Sequence, residues 1–155
     1  MSSEIEIFTK LKTMKKILML FVMGCTSIGF AQNWTSNMEE AKIKASKEDK
    51  KILLVFSGSD WCAPCMKLEK TVWKSEVFKQ EAESKYILVK ADFPKKKGNQ
   101  LSSEMTENNK KLAEKYNKAG NFPLVVMLDK NGKTLGMTGF KNVSAENYIK
   151  LLNSL

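Results

Sequence analysis

Residues 51–65 read Lys51-Ile52-Leu53-Leu54-Val55-Phe56-Ser57-Gly58-Ser59-Asp60-Trp61-Cys62-Ala63-Pro64-Cys65. The run Ile52–Phe56 is continuously apolar, with charge before it and Ser57-Gly58-Ser59 after it. Such a run suits a strand buried on both faces. A long helical segment follows Asp60 to about Ser84, because Met66, Leu68, Val72, Trp73, Val77 and Phe78 fall largely at three- and four-residue spacings. The cysteines therefore stand where a buried strand gives way to a helix. A thiol at a helix N-terminus faces unpaired backbone N–H groups and the positive end of the helix dipole. Both favour thiolate, so the pKa of Cys62 is expected below its reference value. Cys65 lies one turn further in, where the pair can close a disulfide and Cys65 can resolve a mixed disulfide formed at Cys62. Pro64 fits an early helix position and stiffens the turn. Ala63 leaves the approach to Cys62 open.

Three readings of this pair compete. A catalytic dithiol leads. Half of a zinc site would need four ligands, and the chain offers neither a second Cys pair nor any His, so no metal is expected. A structural bridge over a three-residue step closes a tiny loop and gains little entropy.

Outward from the motif, Thr35 to about Glu48 reads as an amphipathic helix capped by Thr35 or Ser36, with Glu39 and Glu40 near its positive end. Trp34 is expected to pack. A second buried strand spans Tyr86–Asp92, a polar loop Pro94–Asn109, and a helix Thr106–Lys118 closed by Gly120. Phe122–Leu128 is a third strand opened by Pro123. Asp129-Lys130-Asn131-Gly132-Lys133 has hairpin chemistry and leads to a strand Thr134–Gly139, then to a helix capped by Ser144. Helices alternating with strands imply an α/β fold with parallel pairing and an antiparallel hairpin at the edge. The expectation is one mixed sheet of four to five strands flanked by helices.

The chain has 155 residues, which fits one domain, and its 43% hydrophobic and 28% charged content is globular. Zero His excludes a Ser-His-Asp triad, a Cys-His pair and His-ligated zinc or haem. All 26 basic residues are Lys, so no guanidinium clamp for phosphate or guanine exists. Three Cys is an odd count, and the N-terminus explains it. Lys15-Lys16 precedes an apolar run, no charge occurs from Ile17 to Gln32, and small residues stand at Gly29 and Ala31. This pattern reads as a secretory signal over residues 1–31, leaving residues 32–155 as the domain. Met1–Thr13 is odd ahead of a signal, which makes Met14 a candidate true start. A buried helix is the rival reading of the apolar run. Cleavage after Ala31 removes Cys25, four Lys and two Glu, and leaves 22 Lys against 15 acidic residues, a charge of +7. In a competing form, Val22-Met23-Gly24-Cys25 loosely resembles a lipoprotein signal, and the protein is membrane-anchored through Cys25. Either form works in the periplasm or otherwise outside the cytoplasm, where disulfides persist. Export, the lack of Arg and the even spread of Lys argue against nucleic acid. Lys95-Lys96-Lys97 reads as a solvated loop, with guidance of an acidic partner as a second idea.

The strand, the Trp61–Cys65 motif opening a helix, the later Phe122-Pro123 opening a strand, and the terminal hairpin and helix together resemble the thioredoxin superfamily. The resemblance spans roughly Trp34 to Leu155. Gly58–Cys62 with Val89-Lys90-Ala91-Asp92-Phe93 looks most like the secreted thioredoxin-like branch, which is similar to the end domain of the membrane thiol:disulfide interchange protein. It implies a thioredoxin-like fold and a thiol–disulfide oxidoreductase that needs no cofactor, with Cys62 as the exposed attacking thiolate and Cys65 as the buried resolving one. Pro123 would be a cis-proline beside the motif, Phe122 would offer its backbone to substrate, and Trp61 would be a flat flanking surface. The expected partners are protein thiols and disulfides and a membrane electron donor. The alternative is a non-catalytic binding or chaperone-like module on the same fold. Typical thioredoxins carry a buried Asp six residues before the first Cys; here that residue is Phe56. Asp60 and Glu69 are read as an exposed acid and a solvated helix face, without that role.

Overall fold

The computed structural model describes residues 32–155. The segment expected to be a signal, with Met14 and Cys25, lies outside them. Twelve elements follow in order: β1 Trp34–Thr35, α1 Met38–Glu48, β2 Lys51–Ser57, α2 Ala63–Leu68, a π-helical turn Glu69–Trp73, α3 Glu76–Lys85, β3 Tyr86–Asp92, a 3-10 turn Lys97–Asn99, α4 Ser103–Tyr116, β4 Leu124–Leu128, β5 Thr134–Thr138 and α5 Ala145–Asn153. The sheet has five strands in the order β1-β3-β2-β4-β5. β3 is parallel to both β1 and β2, whereas β4 is antiparallel to β2 and to β5.

The direction of β4 corrects the alternation argument, which made the third strand parallel. Phe93 follows β3, Phe122 precedes β4, and their rings sit 5.5 Å apart. β4 therefore starts at the end of the sheet where β3 finishes and must run the other way. α4 crosses the sheet without returning the chain to the opposite end.

β2 alternates between two cores, as a central strand must. Leu53 and Val55 face Leu68, Val72, Trp73, Phe78, Tyr148 and Leu152, the layer built by α2, the π turn, α3 and α5. Ile52, Leu54 and Phe56 face Ala41, Ala45, Leu112 and Tyr116 of α1 and α4. All of β2 from Ile52 to Phe56 is at most 1% exposed. Each fully buried large side chain of this kind stabilises by about 1.5–3 kcal/mol.

Three local expectations change. α1 is capped by Asn37, whose Oδ1 accepts from Glu39 N at 3.1 Å and Glu40 N at 3.2 Å; Thr35 sits in β1 instead. β1 itself was not legible, because two residues carry no periodicity; Trp34 packs edge-on to Trp73 at 6.0 Å, as a packing residue would. The single helix expected to Ser84 is two helices. The Lys74 N–H bonds Glu69 O at 3.0 Å, one residue further back than in an α-helix, and Ser75 then caps α3 by accepting from Phe78 N at 3.2 Å. The extra residue brings Leu68, Val72 and Trp73 together into the core and leaves Met66 and Val77 exposed.

Candidate active site

Cys62 and Cys65 are joined in a disulfide, with Cα atoms 5.2 Å apart. Cys62 is the N-cap of α2, and its Sγ accepts from Cys65 N at 3.3 Å. A sulfur in this position meets the unpaired N–H groups that favour a thiolate once the bridge is reduced. Gly58 O accepts from Cys62 N at 2.9 Å, which fixes the turn between β2 and the helix. Ala63 and Pro64 occupy the first helical positions and are exposed. The expected contrast between an exposed Cys62 and a buried Cys65 is absent in this oxidised form, where they are 5% and 4% exposed.

Trp61 stands beside the pair, 38% exposed. Its Nε1 donates to Phe93 O at 2.7 Å, and its ring meets Phe122 edge-on at 5.3 Å. The Phe122-Pro123 peptide bond is cis, and Pro123 is buried. The structure thus brings Trp61, Phe122 and Phe93 into one aromatic ridge next to the cysteines. Trp61 serves as surface and as packing at once. Gly58 makes this possible: a Cβ there would lie 2.3 Å from Trp61 Cε2, so the indole occupies the space a side chain would need.

Two stretches far apart in sequence meet here. Ser59 N donates to Asp92 Oδ1 at 2.9 Å and the Ser59 hydroxyl donates to Asp92 Oδ2. Asp60 is exposed to solvent on one side and engaged on the other. Its carboxylate accepts from Lys95 N at 2.9 Å, Lys96 N at 2.9 Å and Asn99 Nδ2 at 3.1 Å. The Lys95 amide above all, with those of Lys96 and Asn99, holds the Asp60 carboxyl below its ordinary range. Lys95 Nζ lies 4.1 Å from the Trp61 ring centroid. Sequence reasoning missed Phe93, Asp60 and Lys95 as parts of this site, since their partners lie more than thirty residues away along the chain; it missed Gly58 because only the fold shows the Trp61 indole lying back over it.

Phe56 is fully buried in the α1–α4 core, against which Phe93 and Phe122 pack, so that core position is apolar and offers no carboxylate. Glu69 corrects another reading: it is not a plain solvated face but pairs with Lys90 of β3 at 2.7 Å. Among the described residues no group of three or more His, Cys, Asp or Glu is placed to hold a metal ion.

A mixed sheet with this topology, a CxxC disulfide capping the helix after β2, and a cis-proline before β4 define the class. The chain belongs to the thioredoxin-like family, whose family model matches residues 33–130, and it is a thiol–disulfide oxidoreductase. It is similar to the disulfide bond reductase DsbH of Chlamydia pneumoniae, at 35% identity over 122 residues, covering 78% of this chain and 70% of that protein. A solved structure of a DsbH oxidoreductase superposes with a TM-score of 0.73 at 32% identity, covering 85% of this chain and 90% of that one. The C-terminal domain of DsbD from Neisseria meningitidis, in its oxidised form, shares the fold with a TM-score of 0.52 at 17% identity, covering 79% of this chain and 98% of that domain.

Proposed function

We propose that the protein is an exported reductase of protein disulfides. The observation that carries the dithiol chemistry is the Cys62 sulfur at the cap of α2, accepting the Cys65 amide. Similarity to a protein described as a disulfide bond reductase supports the direction, as does the absence of a His between the cysteines. The uncharged stretch Ile17–Gln32 after Lys15-Lys16 supports export. Among the described residues no helix is long and apolar enough to cross a membrane.

In the reduced protein the Cys62 thiolate attacks one sulfur of a substrate disulfide. A Cys62–substrate bond forms, and the other substrate sulfur leaves as thiolate and takes up a proton. Cys65 loses its proton and attacks the Cys62 sulfur, which frees the second substrate thiol and leaves the Cys62–Cys65 disulfide. Two electrons pass to the substrate, and an external dithiol must return them. Phe122 supplies backbone for an extended substrate segment, Pro123 shapes that backbone, and Trp61 provides the apolar flank. Ala63 leaves the approach open and Pro64 stiffens the turn.

The test is insulin reduction driven by a small dithiol, with Cys62→Ser alongside. Turnover is expected in the native protein and absent from the variant. A native protein without turnover is a binding module instead. The Cys62–Cys65 potential is expected nearer about −270 mV than about −120 mV. A value above roughly −150 mV overturns the reductive direction.

A further inference from the structure

We propose that Lys95, Lys96 and Lys97 form a cationic rim on the active site that selects disulfides flanked by acidic polypeptide. The proposal rests on the oxidoreductase reading and adds the substrate class. Lysine runs in loops are ordinarily solvated and mobile, with no fixed relation to any site. This one is moored. Asp60, two residues before Cys62, accepts from the Lys95 and Lys96 amides and from Asn99 Nδ2. The start of the loop is fixed as well: Phe93 N donates to Ser57 O at 2.8 Å, and Asn109 Nδ2 of α4 donates to Asp92 O at 2.8 Å. Lys95 is further seated over the Trp61 ring.

The charge of the rim is available. Lys95, Lys96 and Lys97 are all exposed, and among the described residues no carboxylate forms an ion pair with any of them. Asp60, bonded to the loop amides and within the field of Lys96, and Asp92, bonded to Ser59, offset part of this charge, and three lysines against these two acids leave the rim positive. On the helix side Lys67, two residues after Cys65, has its Nζ 5.6 Å from the Phe140 ring and adds a further cation. A peptide lying along Trp61 and Phe122 therefore passes beside fixed positive charge. Asp or Glu next to the target cysteine is attracted there and Lys is repelled. The occupant is acidic polypeptide rather than an anionic membrane, because Lys95 Nζ sits on the ridge that flanks the cysteines and Asp60 holds the backbone of Lys95 and Lys96 beside it.

The experiment follows reduction of three disulfide peptides, identical except for flanking Glu, Gln or Lys, at low salt. The native protein is expected to favour the Glu peptide over the Gln peptide by about tenfold in kcat/KM. K96Q/K97Q is expected to cut that ratio to about twofold while leaving the Gln peptide rate unchanged. Salt near 1 M, where the screening length is about 3 Å, is expected to erase it. D60A raises the local charge by one but releases the loop, so its preference is expected to fall; a larger preference overturns the mooring. Equal native rates on the Glu and Gln peptides overturn the rim. Failure to reduce any peptide overturns the oxidoreductase reading instead. The rim is then judged by calorimetric affinity for the same peptides, tighter Glu binding supporting it and equal binding overturning it. Retention on phosphatidylglycerol vesicles, lost in K96Q/K97Q and without any peptide preference, overturns it in favour of a membrane surface.

Discussion

Replacing Gly58 with Ala is the sharpest probe of how the site is assembled. The new Cβ would lie 2.3 Å from Trp61 Cε2 and 2.6 Å from both Cζ2 and Nε1, so the indole must leave. Gly58 needs no special backbone angle, so the clash is the whole cost. A displaced Trp61 loses its 2.7 Å hydrogen bond to Phe93 O, worth about 1 kcal/mol net. It loses the Phe122 edge contact at 5.3 Å, worth about 0.5–1.5 kcal/mol. It also loses the Lys95 contact at 4.1 Å, worth about 0.5–1 kcal/mol at an exposed site. The substitution recovers about 0.4–1 kcal/mol by stiffening the unfolded chain. The net expectation is a loss of about 1.5–2.5 kcal/mol, a fall in Tm of roughly 5–10 °C. The assay is thermal unfolding of four proteins: native, Gly58→Ala, Trp61→Ala and the double variant. With Trp61 already removed, the Gly58 substitution is expected to stabilise by about 0.4–1 kcal/mol. An equal cost in both backgrounds refutes the reasoning, because Gly58 would then be needed for something other than room for the indole.

Two further outcomes follow from the geometry. Cys65→Ser is expected to accumulate a mixed disulfide between Cys62 and substrate, visible as added mass that dithiothreitol removes; its absence would take the resolving role from Cys65. Burial, helped by the Glu81 charge, pushes the Tyr86 hydroxyl up to about 12, and burial raises Tyr148 as well. The fold favours neutral tyrosine, so this contribution is complete below the unfolded value near pH 10 and is lost as pH rises through about 12. Tyr86→Phe forfeits the 2.7 Å bond to Asn153 Oδ1, so its urea midpoint is expected to start lower and decline less between about pH 10 and 12. Parallel declines in the two proteins would show that Tyr86 does not carry the effect.

What could be read along the chain was whatever the chain states locally. The apolar run Ile52–Phe56 declares a buried strand, the cysteine spacing declares a dithiol at a helix start, and Ser144 marks a helix start; Gly120, expected to close α4, sits instead in the turn beyond it, because α4 already ends at Tyr116 with Asn117 as its cap. These are short-range facts of sterics, capping and hydrophobic period, and they sufficed for the fold class and for the cysteine pair. The π turn after Leu68 has no such mark, because its extra residue is explained by three side chains reaching one core. The direction of β4 likewise depends on where α4 delivers the chain, which no periodicity in α4 encodes. Asp60 shows the limit most plainly. In sequence it is an acid beside the motif; in the fold it is the anchor of a lysine loop 35 residues downstream. Hydrogen bonds and ring contacts between distant segments are set by the packing of the sheet, so only the tertiary structure decides which residues surround Cys62.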